Sequence, residues 1–212
     1  MNKNHIVKNM RQSIVTTLVL MLICGLLFPL ALSGLGGLLF PHQAEGSLIK
    51  VDGKVVGAEH VGQQFTEEYF LKGRPSAVGY NTYESETAAK EAGPSSGSQN
   101  MAPTNPDLVA RVEKDIETFL AANPGVSKED IPTDLLTASG SGLDPEISPA
   151  SAKIQVPAVA KASGLSEAEI TEFVENNTKG KLLGIFGEET VNVLGVNLDI
   201  AKAMGLIGSY KK

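Results

Sequence analysis

Two serines alternate with two glycines at Ser139, Gly140, Ser141 and Gly142, and no other stretch of the chain is better composed for holding a charged group. Glycine lets successive backbone amides turn into one concavity, and the serine hydroxyls add donors, so Thr137 to Asp144 has the makings of a nest for a phosphate or a carboxylate. The same residues suit a structural turn in which the Asp144 side chain bonds its own backbone ahead of Pro145. The sequence leaves both readings open.

A second pattern, Gly93, Pro94, Ser95, Ser96 and Gly97, satisfies the GxSxG spacing of hydrolase nucleophile elbows. That chemistry needs a strand running into a tight turn and then a helix, which strains and exposes the serine oxygen. Polar, Ala-rich sequence precedes this copy and more loop follows it, so a flexible linker is the expectation. Gly180 and Lys181 are followed by Leu182, not Ser or Thr, which breaks the phosphate-binding P-loop pattern. HExxH and the EF-hand loop are absent, and Asn176, Asn177 and Thr178 form a short glycosylation sequon. His5, His42 and His60 lie far apart without ligand-like spacing, and a single cysteine, Cys24, allows neither an intrachain disulfide nor a thiolate zinc site. No metal centre and no catalytic residue are expected.

The segment that positions all of this is Ser13 to Phe40, uncharged from end to end. A bilayer core of about 30 Å takes roughly 20 apolar residues of helix, and Ile14 to Leu35 supplies that length. Lys3, Lys8 and Arg11 precede it, whereas Pro41 to Leu48 carry Glu45 and no Lys or Arg. The positive-inside rule then gives a cytoplasmic N-terminus over 1–12, a lipid-embedded helix over 13–35 and an extracytoplasmic domain over 36–212. A cleavable signal peptide would use Ala31 and Ser33, but the apolar run continues through Leu38, Leu39 and Phe40, beyond the length of a signal h-region. Acylation at Cys24 is opposed by Ile23, which stands where that processing needs a small side chain.

Roughly 170 residues remain after the span, enough for one domain with a real core. Only 5% of residues are aromatic and there is no Trp, so that core must be aliphatic. The formal charge of −6, with basic residues scattered, argues against a nucleic-acid partner.

Along the domain, Ser47 to Val51 and Lys54 to Val56 flank Asp52 and Gly53, a strong hairpin signal. A short helical or turn segment is expected over Thr66 to Leu71, then a long polar loop over 78–105. Asn105, Pro106 and Asp107 mark the start of a helix whose face of Leu108, Val109, Val112, Ile116, Phe119 and Leu120 should be buried. Asp134 to Ala138 reads as extended. Ser148 and Pro149 open another helix, which Pro157 should kink or split. Ser166 and Glu169 form a capping box before a helix buried through Ile170, Phe173 and Val174. A strand over Val191 to Leu194 and a helix or turn over Asn197 to Met204 complete the chain. The expected fold class is α+β: a single N-terminal transmembrane helix followed by one mixed α+β soluble domain.

With these elements in place, the chain resembles the C subunit of the Kdp potassium-transporting ATPase. The central match is Thr137, Ala138, Ser139, Gly140, Ser141, Gly142, Leu143, Asp144 and Pro145, with Ile147, Ser148 and Pro149. Around it stand Phe40 and Pro41 through Gln43, Ala44, Gly46, Ser47 and Leu48; Gly62 and Gln63; Arg74, Pro75, Ser76 and Ala77; Asn100, Pro103, Thr104 and Asn105; Gln155 and Pro157; and Val191, Asn192, Val193, Asn197 and Leu198. Glu146 replaces a frequent His, and Met101 and Ala102 replace a Leu-Gly pair. The resemblance covers essentially the whole chain.

It implies a non-catalytic subunit of an ATP-driven potassium uptake complex in the cell membrane. The expected partners are a channel-like potassium-translocating subunit, a P-type subunit phosphorylated in a DKTG motif that this chain lacks, and a small single-span subunit. Family members are described as stabilising the complex and as catalytic chaperones that raise ATP affinity, which makes ATP the implied cofactor and Ser139, Gly140, Ser141 and Gly142 the candidate nucleotide contacts. The positive-inside topology places those residues away from cytoplasmic ATP, so the expectation is a domain packed on the outer face of the channel-like subunit, acting on ATP affinity through the complex. Two rivals are a membrane-anchored extracytoplasmic solute-binding module using the Thr137 to Asp144 nest, and a signal-peptide-bearing hydrolase using Ser95.

Overall fold

A long apolar helix opens the structure, a computed structural model that describes residues 3–211, with side chains from 5 to 210. It runs as α1 (Lys3–Leu22), a π-helical turn (Ile23–Leu27) and α2 (Phe28–Leu39). Pro29 has no N–H to donate, and the wider turn just before it lets the Phe28 amide reach back to the Ile23 carbonyl. The stretch His5–Leu39 has a mean hydropathy of 2.5 over its most apolar window, and none of that window is buried, so it is long and apolar enough to cross a membrane. This helix and the short α3 (Pro41–Ala44) form one compact unit, Met1–Ser47, and Leu48–Lys212 form the other.

The second unit is α+β. Its hairpin pairs β1 (Leu48–Val51) with β2 (Lys54–Ala58) around Asp52 and Gly53, both at positive φ, 49° and 79°, as a type I′ turn requires. The C-terminal β6 (Tyr210–Lys211) adds to the other edge of β1. A second small antiparallel sheet has the order β3 (Glu146–Ile147), β5 (Thr190–Asn192), β4 (Thr178–Lys179).

One helix organises both sheets. In α9 (Val193–Ala203), Val193, Val196 and Ile200 face a core of Leu71, Ile147, Val156, Val159, Ile170, Val174 and Val191, whereas Leu194 and Leu198 face Ile49 and Val51 of the hairpin. A helix that is apolar nearly all round must be buried on both sides. It starts earlier than the expected strand allows: Asn192 ends β5 and caps α9 by accepting from the Gly195 amide at 2.8 Å. An apolar run of this length does not itself distinguish a buried strand from a buried helix.

Around this centre pack α6 (Pro149–Lys153), α7 (Val156–Ser163) and α8 (Glu167–Asn176). The split between α6 and α7 falls where Pro157 requires it. The Ser166–Glu169 capping box forms in full, and Ile170 and Val174 are buried as its spacing demands.

Three further expectations need correction. Residues 78–105 hold α4 (Glu86–Ala92), because Ser85 accepts from the Ala88 amide and starts a helix in the Ala-rich stretch. Asp134 to Ala138 is not extended; Thr133–Leu135 form a 3₁₀ turn, which buries Leu135. Thr66 to Leu71, by contrast, takes the turn form of its expectation: the Phe70 amide donates to the Glu67 carbonyl at 3.1 Å in an otherwise irregular segment. Finally, α5 (Pro106–Ala122) starts at the expected Asn105 cap, but none of its residues is fully buried and Val109 is exposed. Its apolar stripe lies only half-covered.

Candidate functional site

The Ser-Gly loop and three other stretches of chain meet at one place. Gly62 follows the hairpin, Arg74 to Tyr80 follow the irregular segment, Ser96 and Gly97 come from beyond α4, and Thr137 to Asp144 lie between the 3₁₀ turn and β3. The loop's own hydrogen bonds turn inward. Ser139, 4% exposed, accepts from the Gly142 amide at 2.8 Å, and the Ser141 hydroxyl accepts from the Leu143 amide at 3.1 Å. Its carbonyls are taken as well: Gly142 accepts from the Ser76 hydroxyl at 2.6 Å, Ser141 from the Ser96 hydroxyl at 3.1 Å and the Gly97 amide at 2.7 Å, and Leu143 from the Gly62 amide at 2.8 Å. The tip, Gly140 and Ser141, remains exposed.

Backbone proximity explains two glycines. A β-carbon on Gly62 would lie 2.4 Å from the Asp144 carbonyl oxygen and 2.5 Å from the Tyr80 ring. Gly142 adopts φ +69°, and a β-carbon there would meet Val78 at 2.7 Å and the Gly97 carbonyl at 2.9 Å. Only hydrogen fits at either position.

Asp144 does not close an Asx turn. Its carboxylate pairs with the Arg74 guanidinium at 2.8 Å, and Arg74 also reaches the Thr137 carbonyl through longer bonds of 3.4 Å. Tyr80 completes the cluster: its hydroxyl donates to the Arg74 carbonyl at 2.7 Å and its amide donates to the Ser76 hydroxyl at 3.0 Å. Burial, reinforced by the Asp144 charge and opposed by Arg74, pushes the Tyr80 phenol up to about 12. It therefore stays a neutral donor at any physiological pH.

The GxSxG pattern does not make a nucleophile elbow. The Ser95 hydroxyl donates to the Asn81 amide oxygen at 2.9 Å, and that oxygen also accepts from the Ser95 amide at 3.0 Å. An amide oxygen cannot take the proton of an attacking serine, and the pattern follows the end of α4 and runs into irregular chain, where an elbow needs a strand before it and a helix after it. Tyr83 donates to the Gly93 carbonyl at 2.9 Å and tightens this segment further. No group of three or more metal-ligating side chains occurs among the described residues.

Two buried amides hold the framework in place. Asn197, 1% exposed, accepts from the Leu71 amide at 2.8 Å and donates to the Leu71 carbonyl at 3.0 Å. Gln155 treats Lys72 the same way, at 2.9 and 3.2 Å. Each side chain satisfies one backbone pair as a neighbouring strand would. Sequence reasoning singles out both residues through the resemblance but gives them no role, and their partners lie too far along the chain for spacing to reveal.

Comparison with known proteins places the chain. The model of the KdpC family, described as K+-transporting ATPase, c chain, matches residues 10–202. A potassium-transporting ATPase KdpC subunit from Clostridium kluyveri is 58% identical over 201 residues, covering 94% of this chain and 96% of the relative. The KdpC subunit of Clostridioides difficile is 53% identical, covering 94% of this chain and all of its own length, and that of Caldanaerobacter subterraneus is 47% identical over 91% and 94%. The match includes the apolar helix, the hairpin, the Ser-Gly loop and the buried fasteners alike, and the chain belongs to the KdpC family, the c chain of the K+-transporting ATPase.

Proposed function

We propose that this chain is the non-catalytic subunit of a high-affinity ATP-driven potassium uptake complex, holding the channel-like and P-type subunits together with a small single-span subunit. It raises the ATP affinity of the hydrolysing subunit through the complex, without touching nucleotide. The observation that carries this reading is the inward bonding of the Ser-Gly loop. The amides of Gly142 and Leu143, which a nest would aim at a phosphate, are taken by Ser139 and Ser141.

The domain lies on the outer face of the membrane in this reading, packed on the channel-like subunit at the potassium entrance. Lys3, Lys8 and Arg11 before the uncharged stretch from Ser13 to Phe40, and the lack of Lys or Arg from Pro41 to Leu48, support that orientation. Coupling across the assembly then needs only that the complex with the domain docked binds ATP more tightly than the complex without it.

The exposed tip at Gly140 and Ser141 favours one second reading, in which Ser139, Gly140, Ser141 and Gly142 contact ATP directly. Binding of a fluorescent ATP analogue to the full chain in detergent, set beside ATPase activity of the complex with and without it, separates the two. The assembly reading expects no binding by the chain alone and a raised KM for ATP when it is omitted. Saturable binding that Gly140→Val abolishes would establish direct contact. Protease added to intact spheroplasts tests the orientation, since an outward domain is digested and an inward one is protected.

A further inference from the structure

The connection between β4 and β5 carries the most exposed apolar surface of the second unit. Leu182 is 70% exposed, Leu183 81%, Ile185 76% and Phe186 62%, whereas the unit's other exposed large apolar residues, Val55, Val61, Val109 and Leu206, do not adjoin one another in sequence. Four large apolar side chains within five residues, all open to water, form a patch of the kind that marks an interaction site.

The backbone beneath them is closed and shaped. The Leu182 amide donates to the Phe186 carbonyl at 2.8 Å, and the Phe186 amide donates back to Leu182 at 3.0 Å. Gly184 bonds Lys181 and Ile185 bonds Leu182, so the tip has no free strand edge to offer for sheet extension. Leu183 sits at φ +54°, a left-handed conformation that a residue with a β-carbon adopts at a cost. Glycine at 183 would hold the turn without that strain. A leucine there, strained and almost fully solvated, gains nothing within the chain itself and points to a contact outside it.

The collar of the tip selects the kind of partner. Lys181 pairs with Glu188 at 3.2 Å, and Lys179 and Glu189 bring the formal charge of the finger to zero. A lipid-binding tip gains its hold from an excess of basic residues facing anionic headgroups and from Trp or Tyr at the interface, and this finger has neither. An apolar tip above a charged rim of no net charge matches the centre and rim of a protein interface.

We infer that the finger from Lys179 to Glu189 inserts Leu182, Leu183, Ile185 and Phe186 into an apolar groove on the extramembrane surface of the channel-like subunit. This rests on the assembly reading above and names the element that makes the contact. Leu183 and Phe186, at the tip and its closing bridge, are the anchors.

The test uses the whole complex in native membranes. In a Cys24→Ser chain, Leu183→Cys is labelled with benzophenone maleimide and irradiated. The expected product is one adduct with the channel-like subunit, mapped by mass spectrometry to an apolar extramembrane segment. Adducts with lipid alone, with a second copy of this chain, or with nothing would overturn the inference. In parallel, serine replaces Leu182, Leu183, Ile185 and Phe186 together in the otherwise unaltered chain. Co-purification of partner subunits should fall at least tenfold, while the circular dichroism spectrum stays that of the parent. If the parent chain co-purifies with its partners and the serine variant does so equally well, the finger is not the contact but the assembly reading stands. If the parent chain itself brings down no partner, the assembly reading fails.

Discussion

Asn197 replaces a strand neighbour for Leu71 using one side chain, and the environment makes that exchange consequential. The amide and carbonyl of Leu71 lie in the aliphatic core, where water cannot take over when the side chain is lost. Asn197→Leu keeps the volume and strips both partners, so it should destabilise the chain by about 2 to 4 kcal/mol, read as a lower urea midpoint with unchanged slope. A loss below about 0.5 kcal/mol would mean that the 65–72 segment docks by apolar contact alone. Tyr80 gives a second prediction at this scale, in pH. Its folded value of about 12 stands above the ordinary value near 10, so the neutral phenol binds its proton more tightly in the folded state. The stability it contributes is whole below about pH 10 and is lost as pH rises towards about 12. Tyr80→Phe should flatten the decline of unfolding free energy over that window, and an unaltered decline would place the alkaline sensitivity elsewhere.

Short elements need fasteners, and α6 shows how one is made. Its five residues hold few internal hydrogen bonds, so its start is fixed from outside: Asp134 accepts from the Ser148 amide at 2.8 Å and from the Ser148 and Ser151 hydroxyls. Burial raises the Asp134 carboxyl, but these bonds together outweigh it and hold the group below its ordinary value. A lowered carboxyl contributes its stability above the unfolded value and loses it as pH falls through the folded one, so the link between the 3₁₀ turn and α6 should weaken in acid. Asp134→Ala should cost about 1 to 2 kcal/mol at neutral pH and remove that part of the acid sensitivity, measured by unfolding at pH 7 and below pH 4. At this scale the sequence is legible wherever one short segment decides the outcome. Asp52-Gly53, Asn105-Pro106, Pro157 and the Ser166–Glu169 box each act within four residues, and each element forms where they place it. What escapes notice is decided at a distance. The Asp144 carboxylate closes no local turn and takes Arg74, 70 residues away. The 65–72 segment stays irregular because Gln155, just before α7, and Asn197 of α9 satisfy its end, with Asn197 lying 126 residues from Leu71. The Ser-Gly motif itself was plain in the sequence, whereas its inward bonding depends on Gly62, Ser76 and Gly97, three stretches that only the fold brings together.

The molecule is built as two units, an apolar helix and a folded domain, and the division has a thermodynamic consequence. A helix with none of its most apolar window covered by the chain owes its stability to lipid, whereas the domain has its own cores on both sides of α9. A chain beginning at Leu48 should therefore stay soluble and unfold in one cooperative step. Its ability to join the complex should fall far more than its stability. An anchor in the bilayer confines the domain to the membrane surface beside its partners, so that docking proceeds at a high effective concentration. Without the anchor the same contacts must form from dilute solution, and an apolar tip of four residues is a small contact by the standard of stable interfaces. If the chain acts on ATP affinity as proposed, the Leu48 form added to membranes that lack this chain should restore that affinity only at concentrations at least a hundredfold above the anchored chain's level. The four serine substitutions in the finger should remove even that restoration. Full restoration at equal levels would show that the helix contributes nothing beyond delivery and that the domain's own interface carries the assembly. Failure to restore at any concentration, with the domain folded, would place essential contacts on the helix itself, where Gly25, Gly34, Gly36 and Gly37 have open space around them for a close-packed neighbouring span.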